Sequence, residues 1–146
     1  MLKKLCVLFI ALTPYFLFAQ APKKGPMDGN KFTAEIFEVG KKKPLEPDDL
    51  SFNAGKFKSV LFGDQGWDFT KPGKYQITGI DSLTTPGVKI YSWIVELVNT
   101  SDEELSWSGT FNGENLEGTI ELVNKKGKNE KSFTFTAVPK KKPGKK

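Results

Sequence analysis

Between residues 31 and 138, apolar and polar side chains alternate in short runs separated by clusters of Gly, Asn, Asp and Pro. The clearest run sets Leu105, Trp107, Gly109 and Phe111 against Ser106, Ser108, Thr110 and Asn112. The next sets Leu116, Gly118, Ile120 and Leu122 against Glu117, Thr119 and Glu121, and the last sets Phe133, Phe135 and Ala137 against Ser132, Thr134 and Thr136. A period of two is that of a strand with one face on a core and the other in water. Strands are accordingly predicted at about Lys31–Val39, Asp49–Asn53, Lys56–Phe62, Tyr75–Asp81, Val88–Val98, Leu105–Asn112, Leu116–Val123 and Lys131–Val138. Asn53-Ala54-Gly55, Asn112-Gly113-Glu114-Asn115 and Lys125-Lys126-Gly127-Lys128-Asn129 supply residues that tolerate positive φ, as tight hairpins require. No window repeats apolar residues at a helical period over three turns, so any helix is short, within Gly63–Gly73 or Lys43–Asp49.

Strands joined by short turns pair in sequence order. About eight antiparallel strands so joined form a meander, and closing the sheet on itself removes its exposed edges. The expected class is therefore all-β, an up-and-down barrel, with a two-sheet β-sandwich as the alternative.

Ahead of this domain, Lys3 and Lys4 precede an apolar run from Leu5 to Phe18, which is followed by small residues at Ala19 and Ala21. Residues 1–21 read as a secretory signal peptide, cleaved after Ala19 or Ala21. The run is shorter than the roughly 20 residues of a membrane-spanning helix, and Pro14 interrupts it. Residues 22–30 read as linker, 31–138 as one β domain, and 139–146 as a disordered lysine-rich tail. The mature protein is expected to be exported, to the periplasm or beyond, with no membrane span left after cleavage.

Composition then removes whole classes of chemistry. The single cysteine, Cys6, lies in the signal, and there is no histidine. Disulfides, thiol catalysis, imidazole metal sites and His-based triads are excluded, and no Ser-x-x-Lys stands where a serine nucleophile needs it. At about 125 residues the mature chain is large enough for one hydrophobic core to hold it. All 22 basic residues are lysine. Setting aside the nine at the two ends leaves 13 against 17 acids, a net of −4 for the body. Without an arginine fork, phosphate and base edges have no bidentate partner, so no nucleic acid is expected. The tail is suited at most to weak contact with an anionic surface.

Two stretches carry a resemblance, Asp49-Leu50-Ser51-Phe52-Asn53-Ala54-Gly55-Lys56-Phe57-Lys58-Ser59 and Trp107-Ser108-Gly109-Thr110-Phe111-Asn112-Gly113-Glu114-Asn115-Leu116-Glu117-Gly118-Thr119. They resemble the small exported lipocalin-like, calycin-type proteins of bacteria, in which an Asp-x-Leu-x-Phe strand turns into Gly-x-Phe-x-Ser and a later Trp-x-Gly strand turns into one ending in glycine. The first strand departs from lipocalins proper, with Lys31-Phe32-Thr33-Ala34-Glu35 in place of a Gly-x-Trp. The resemblance implies a lipocalin-like barrel and supplies no catalytic residues.

Aromatic residues are the main candidates for function. Trp67, Tyr75, Tyr91, Trp93 and Trp107, with Phe69, are placed to line the mouth and interior of a small barrel, or else to fill its core. Ser59, Gly79, Gly109 and Gly118, small among large neighbours, either open a pocket or mark bends. Asp64 and Asp68 flank Trp67 but lack the spacing of a calcium loop or of a sugar hydrolase's acid pair. Asn99-Thr100-Ser101 fits a glycosylation acceptor of a eukaryotic secretory route. The expected function is non-enzymatic binding of a small apolar or amphipathic ligand, without catalytic residues, metal or cofactor. The alternative is an interaction module or inhibitor acting on another envelope protein.

Overall fold

The alternating runs become strands, and their apolar faces all turn to one interior. The computed structural model describes residues 24–82, 87–142 and 144. It contains β1 (Lys31–Glu38), β2 (Asp48–Asn53), β3 (Lys56–Ser59), a short helix α1 (Val60–Asp64), β4 (Gly73–Lys74), β5 (Gln76–Ser82), β6 (Lys89–Val98), β7 (Glu104–Phe111), β8 (Leu116–Val123) and β9 (Asn129–Pro139). The signal peptide expected at residues 1–21 lies outside the described residues.

All strands join one antiparallel sheet in the order β4-β3-β2-β1-β9-β8-β7-β6-β5. The first and last long strands lie side by side, from Phe32 opposite Pro139 to Glu38 opposite Phe133. β4 and β5 form one extended run interrupted at Tyr75. Before that residue the run pairs with β3, with Gly73 opposite Phe57, and after it with β6, with Gln76 opposite Ile94. This change of partner brings the sheet's two edges together and nearly closes a barrel. The seam is tight, because a Cβ on Gly73 would stand 2.5 Å from Leu97 Cδ2 and 2.9 Å from the Glu96 carbonyl oxygen. The fold is thus all-β and a meander, and a single sheet replaces the two of a sandwich.

The largest departure from the sequence expectation lies where β3 gives way to α1. The strand expected over Lys56–Phe62 stops at Ser59, and the helix follows it there rather than in 63–73 or 43–49. The Ser59 hydroxyl accepts from the Phe62 N–H, and the buried Asp48 carboxylate accepts from the Leu61 N–H at 2.9 Å and from the Ser59 hydroxyl. These acceptors cap the first turn of α1 and outweigh the strand preference of Val60-Leu61-Phe62. Burial raises the pKa of Asp48, and hydrogen bonds from Leu61, Ser59 and Val60 only partly offset that rise.

The interior is solid. Phe32, Phe52, Phe57, Trp93, Trp107 and Phe133 are all within 1% of full burial. Their rings meet edge-on or tilted, as in Phe52–Trp93 at 5.5 Å, Phe57–Trp107 at 5.0 Å and Trp107–Phe135 at 5.0 Å. Phe62 of α1 closes one end, 5.7 Å from both Trp107 and Phe133. Met27, which the sequence places in a linker, closes the other end and is fully buried. The small residues do not open a pocket. Gly109 faces Gly118, and a Cβ on either would lie 2.0–2.2 Å from the carbonyl oxygen of Ser108 or Glu117. They permit close approach of β7 and β8. Gly79 faces outward opposite Ser92 at a bulge in β5, and Ser59 is taken up by Asp48.

Candidate functional site

The end closed by Met27 is built where the two termini of the domain meet. Lys140 donates its backbone N–H to the Lys31 carbonyl at 2.8 Å, which carries the first residues of the expected disordered tail back across the barrel rim. On the inner side, Gly29 donates to the Phe52 carbonyl at 2.8 Å and Phe52 donates to the Asn30 carbonyl at 3.1 Å. Between these segments and the β7–β8 hairpin lies a half-open groove of about 460 Å³. Phe32 and Phe111 form its floor, 6.0 Å apart and edge-on, and Lys31, Lys140, Lys141 and Lys142 stand around it. Glu114 is the one carboxylate in its lining. The Lys140 ammonium is shared with Asp49, 2.5 Å away and half exposed.

Apolar surface continues from this floor along the rim. Phe111 lies opposite Tyr91, their rings 6.4 Å apart at 30°, and Tyr91 lies opposite Ile80, which is 59% exposed. Along this side of the mouth Ile80 is exposed and Tyr91 half-buried, while Phe111 and Phe32 lie buried beneath the lysines as the groove's floor.

The inner wall of the groove is fastened by Asp28. Its carboxylate accepts from the Gly25 N–H at 2.7 Å, the Gly55 N–H at 3.0 Å and the Tyr75 hydroxyl at 2.9 Å. Burial alone would raise its pKa, but these donors, with Lys24 nearby, hold it below the usual carboxylate value. Burial and the adjacent Asp28 push the Tyr75 phenol well above its ordinary value. A depressed folded-state pKa means that the contribution of Asp28 is present above its unfolded value of about 4 and is lost as pH falls through the folded value. Asp28→Asn should cost about 1–3 kcal/mol at neutral pH. Urea melts at pH 7 and pH 3 should show the gap between wild type and variant shrinking at the lower pH, and an equal gap at both would contradict the role. The raised pKa of Asp48 acts in the opposite sense, giving stability below its unfolded value that is lost as pH rises through its folded one.

The five aromatic candidates do not form one site. Trp93 and Trp107 lie deep in the packed interior. Tyr75 is buried at the seam on Asp28, and Tyr91 is half-buried at the mouth. Trp67 sits at the opposite end, half-buried on Phe62 at 5.2 Å, with the Lys131 ammonium 5.4 Å above its ring. Phe69 is buried close by. Of the five, Tyr91 alone adjoins the groove.

Other motifs are taken up by the fold. The Asn99 side-chain amide donates to Glu103 Oε2 at 2.7 Å and to the Trp67 carbonyl at 3.3 Å, while its Oδ1 accepts from Ser101 and Glu103 N–H groups at 3.0 Å. An amide so engaged pins the Trp67 loop and is not presented for glycosylation. Asp68 accepts from the Thr100 N–H and hydroxyl. Among the described residues no three Asp, Glu, His or Cys side chains converge as a metal site, and no helix is long and apolar enough to cross a membrane.

Sequence reading sets Phe111 on a core face and gives the tail lysines only weak contact with an anionic surface, and it does not bring either to Lys31 and Phe32. Only the pairing of β1 with β9 brings Lys31 to Lys140, and no local signal in either segment announces it. Together these features describe an antiparallel meander barrel with a filled interior and a basic, half-apolar mouth. No family model, curated protein or solved structure matches the chain.

Proposed function

We propose that this chain is an exported, non-enzymatic β-barrel that binds a small amphipathic ligand with an anionic head, and that it does so at the mouth rather than inside. The observation that carries this reading is the groove in which the edge-on pair Phe32–Phe111 meets Lys31, Lys140, Lys141 and Lys142. Lysine ammoniums on flexible stems suit a compact phosphate or carboxylate, and the stems themselves extend the apolar wall. A short acyl tail would lie along Tyr91 and Ile80. The apolar run of residues 5–18 supports export, and the likeness to lipocalin-like proteins fits a binding role.

Dodecyl phosphate titrated below its micelle concentration, followed by calorimetry, tests the reading. Saturable one-to-one binding is expected, weaker for neutral dodecyl maltoside and at least about ten-fold weaker in the double variant Lys141→Glu/Lys142→Glu, since each 1.4 kcal/mol of lost attraction is ten-fold. Heat that never saturates, or that is the same in the double variant, would refute it.

The interaction module remains a second reading because of one outer stripe. Ile90 and Ile94 are half-buried and Val98 is half exposed, all on the solvent side of β6, where neighbouring strands carry Ser106, Ser108 and Thr110. Apolar residues at every fourth position of an outer face are what a protein partner would cover.

A further inference from the structure

We propose that the barrel docks mouth-first onto an anionic lipid bilayer, the groove receiving a phosphate headgroup that remains in the membrane. The inference rests on the mouth being the anion-binding site, and it adds that the ligand is presented by a surface.

Charge asymmetry carries the argument. Leaving out the two lysine-rich ends, the body has a net charge of −4, yet Lys31, Lys140, Lys141 and Lys142 all line one groove at one end. Lys24 adds a fifth ammonium, since its Nζ stands 3.5 Å from where a Gly29 Cβ would be, and Gly29 is in the groove wall. Three carboxylates stand against these five ammoniums and leave a positive excess. Asp28 is held inside by Tyr75 and two backbone donors, Asp49 is engaged with Lys140, and Glu114 stands alone in the lining. The opposite end carries lysines too, Lys41, Lys42 and Lys43 after β1 and Lys125, Lys126 and Lys128 between β8 and β9, but there Asp64, Asp68, Asp102, Glu103, Glu104 and Glu130 accompany them. An anionic surface turns a chain so charged until the end with the positive excess faces it.

The rim has the matching apolar character. Ile80, 59% exposed, and the half-buried Tyr91 lie at the same end of the barrel, joined to the groove's floor through Phe111, where an aromatic ring and an apolar side chain suit headgroup depth. The outer wall does not. Ser106, Ser108, Glu117, Thr119, Glu121 and Thr134 cover β7–β9, the reverse of the apolar belt of a membrane-spanning barrel.

Co-sedimentation of the chain beginning at Pro22 with phosphatidylglycerol–phosphatidylcholine vesicles tests the proposal, with pure phosphatidylcholine vesicles beside them. Binding to the anionic vesicles alone is expected, and it should weaken as salt rises. Lys141→Glu/Lys142→Glu should lower the partition coefficient by about five-fold or more per residue, as expected for lysines at a charged surface. Lys125→Glu/Lys126→Glu, at the opposite end of β8, should leave it within a factor of two. Equal loss from the two double variants would overturn docking by the mouth, as would equal binding to neutral vesicles. Dodecyl phosphate binding without vesicle binding would overturn this inference alone and leave the small-ligand reading standing. Failure of both probes would overturn both.

Discussion

Trp107→Ala is expected to remove about 3–5 kcal/mol of stability, a large part of the roughly 5–15 kcal/mol that holds a domain together. Trp107 is fully buried, with Phe57 and Phe135 each 5.0 Å away and Phe62 5.7 Å away. Those three rings come from β3, β9 and α1, so the cavity would loosen the wall of the barrel and its cap together, and no single neighbour can collapse into it. The indole N–H has no hydrogen-bond partner. Trp107→Phe therefore keeps much of the ring and removes an unpaired donor, and it should cost well under half as much. Urea unfolding followed by far-ultraviolet circular dichroism measures both variants, and an alanine cost below about 1 kcal/mol would show that the interior is not packed as described.

Gly118→Val is expected to be at least as damaging, for a different reason. Its new Cβ would stand 2.0 Å from the Ser108 carbonyl oxygen and 2.6 Å from the Gly109 Cα, both backbone atoms that cannot rotate aside. β8 pairs with β7 on one side and with β9 on the other, so moving it disturbs two ladders. The cost should reach or exceed the upper end of the ~1–3 kcal/mol typical of overpacking. Gly79→Ala is the control. Its Cβ would meet only Ser92, at 3.8 Å, and replacing a strand glycine there should be neutral or slightly stabilising. Thermal melts of the two variants decide the matter, and a Gly118→Val protein melting near wild type would mean that the two strands stand further apart.

Each strand could be read where local alternation had only one outcome. Along β7, β8 and the Phe133–Ala137 part of β9 every second residue is apolar or glycine, the period of a strand, so those strands end within a few residues of their expected limits. The run Val60-Leu61-Phe62 shows where that logic stops. Its residues favour a strand, and the acceptor that turns them into a helix is Asp48, twelve residues upstream of Val60 and placed there only because β2 pairs with β3. Met27 and Asp28 read as linker for a similar reason. Prolines and glycines surround them, and the Gly55 N–H and Tyr75 hydroxyl that fasten Asp28 are 27 and 47 residues away.

By itself the sequence determined the all-β class, the order of pairing and the absence of imidazole chemistry, because short-range periodicity, short connections and composition are local properties of the chain. The tertiary structure decided how the aromatic residues fill the barrel and where the basic groove lies. Trp93 and Trp107 have the same alternation whether they line a cavity or fill it, and only the distances between facing walls distinguish the two. Lys31 and Lys140 are separated by nearly the whole domain in sequence and share one groove because β1 and β9 close the sheet. A site made by closure is a long-range property, and no run of neighbouring residues can encode it alone.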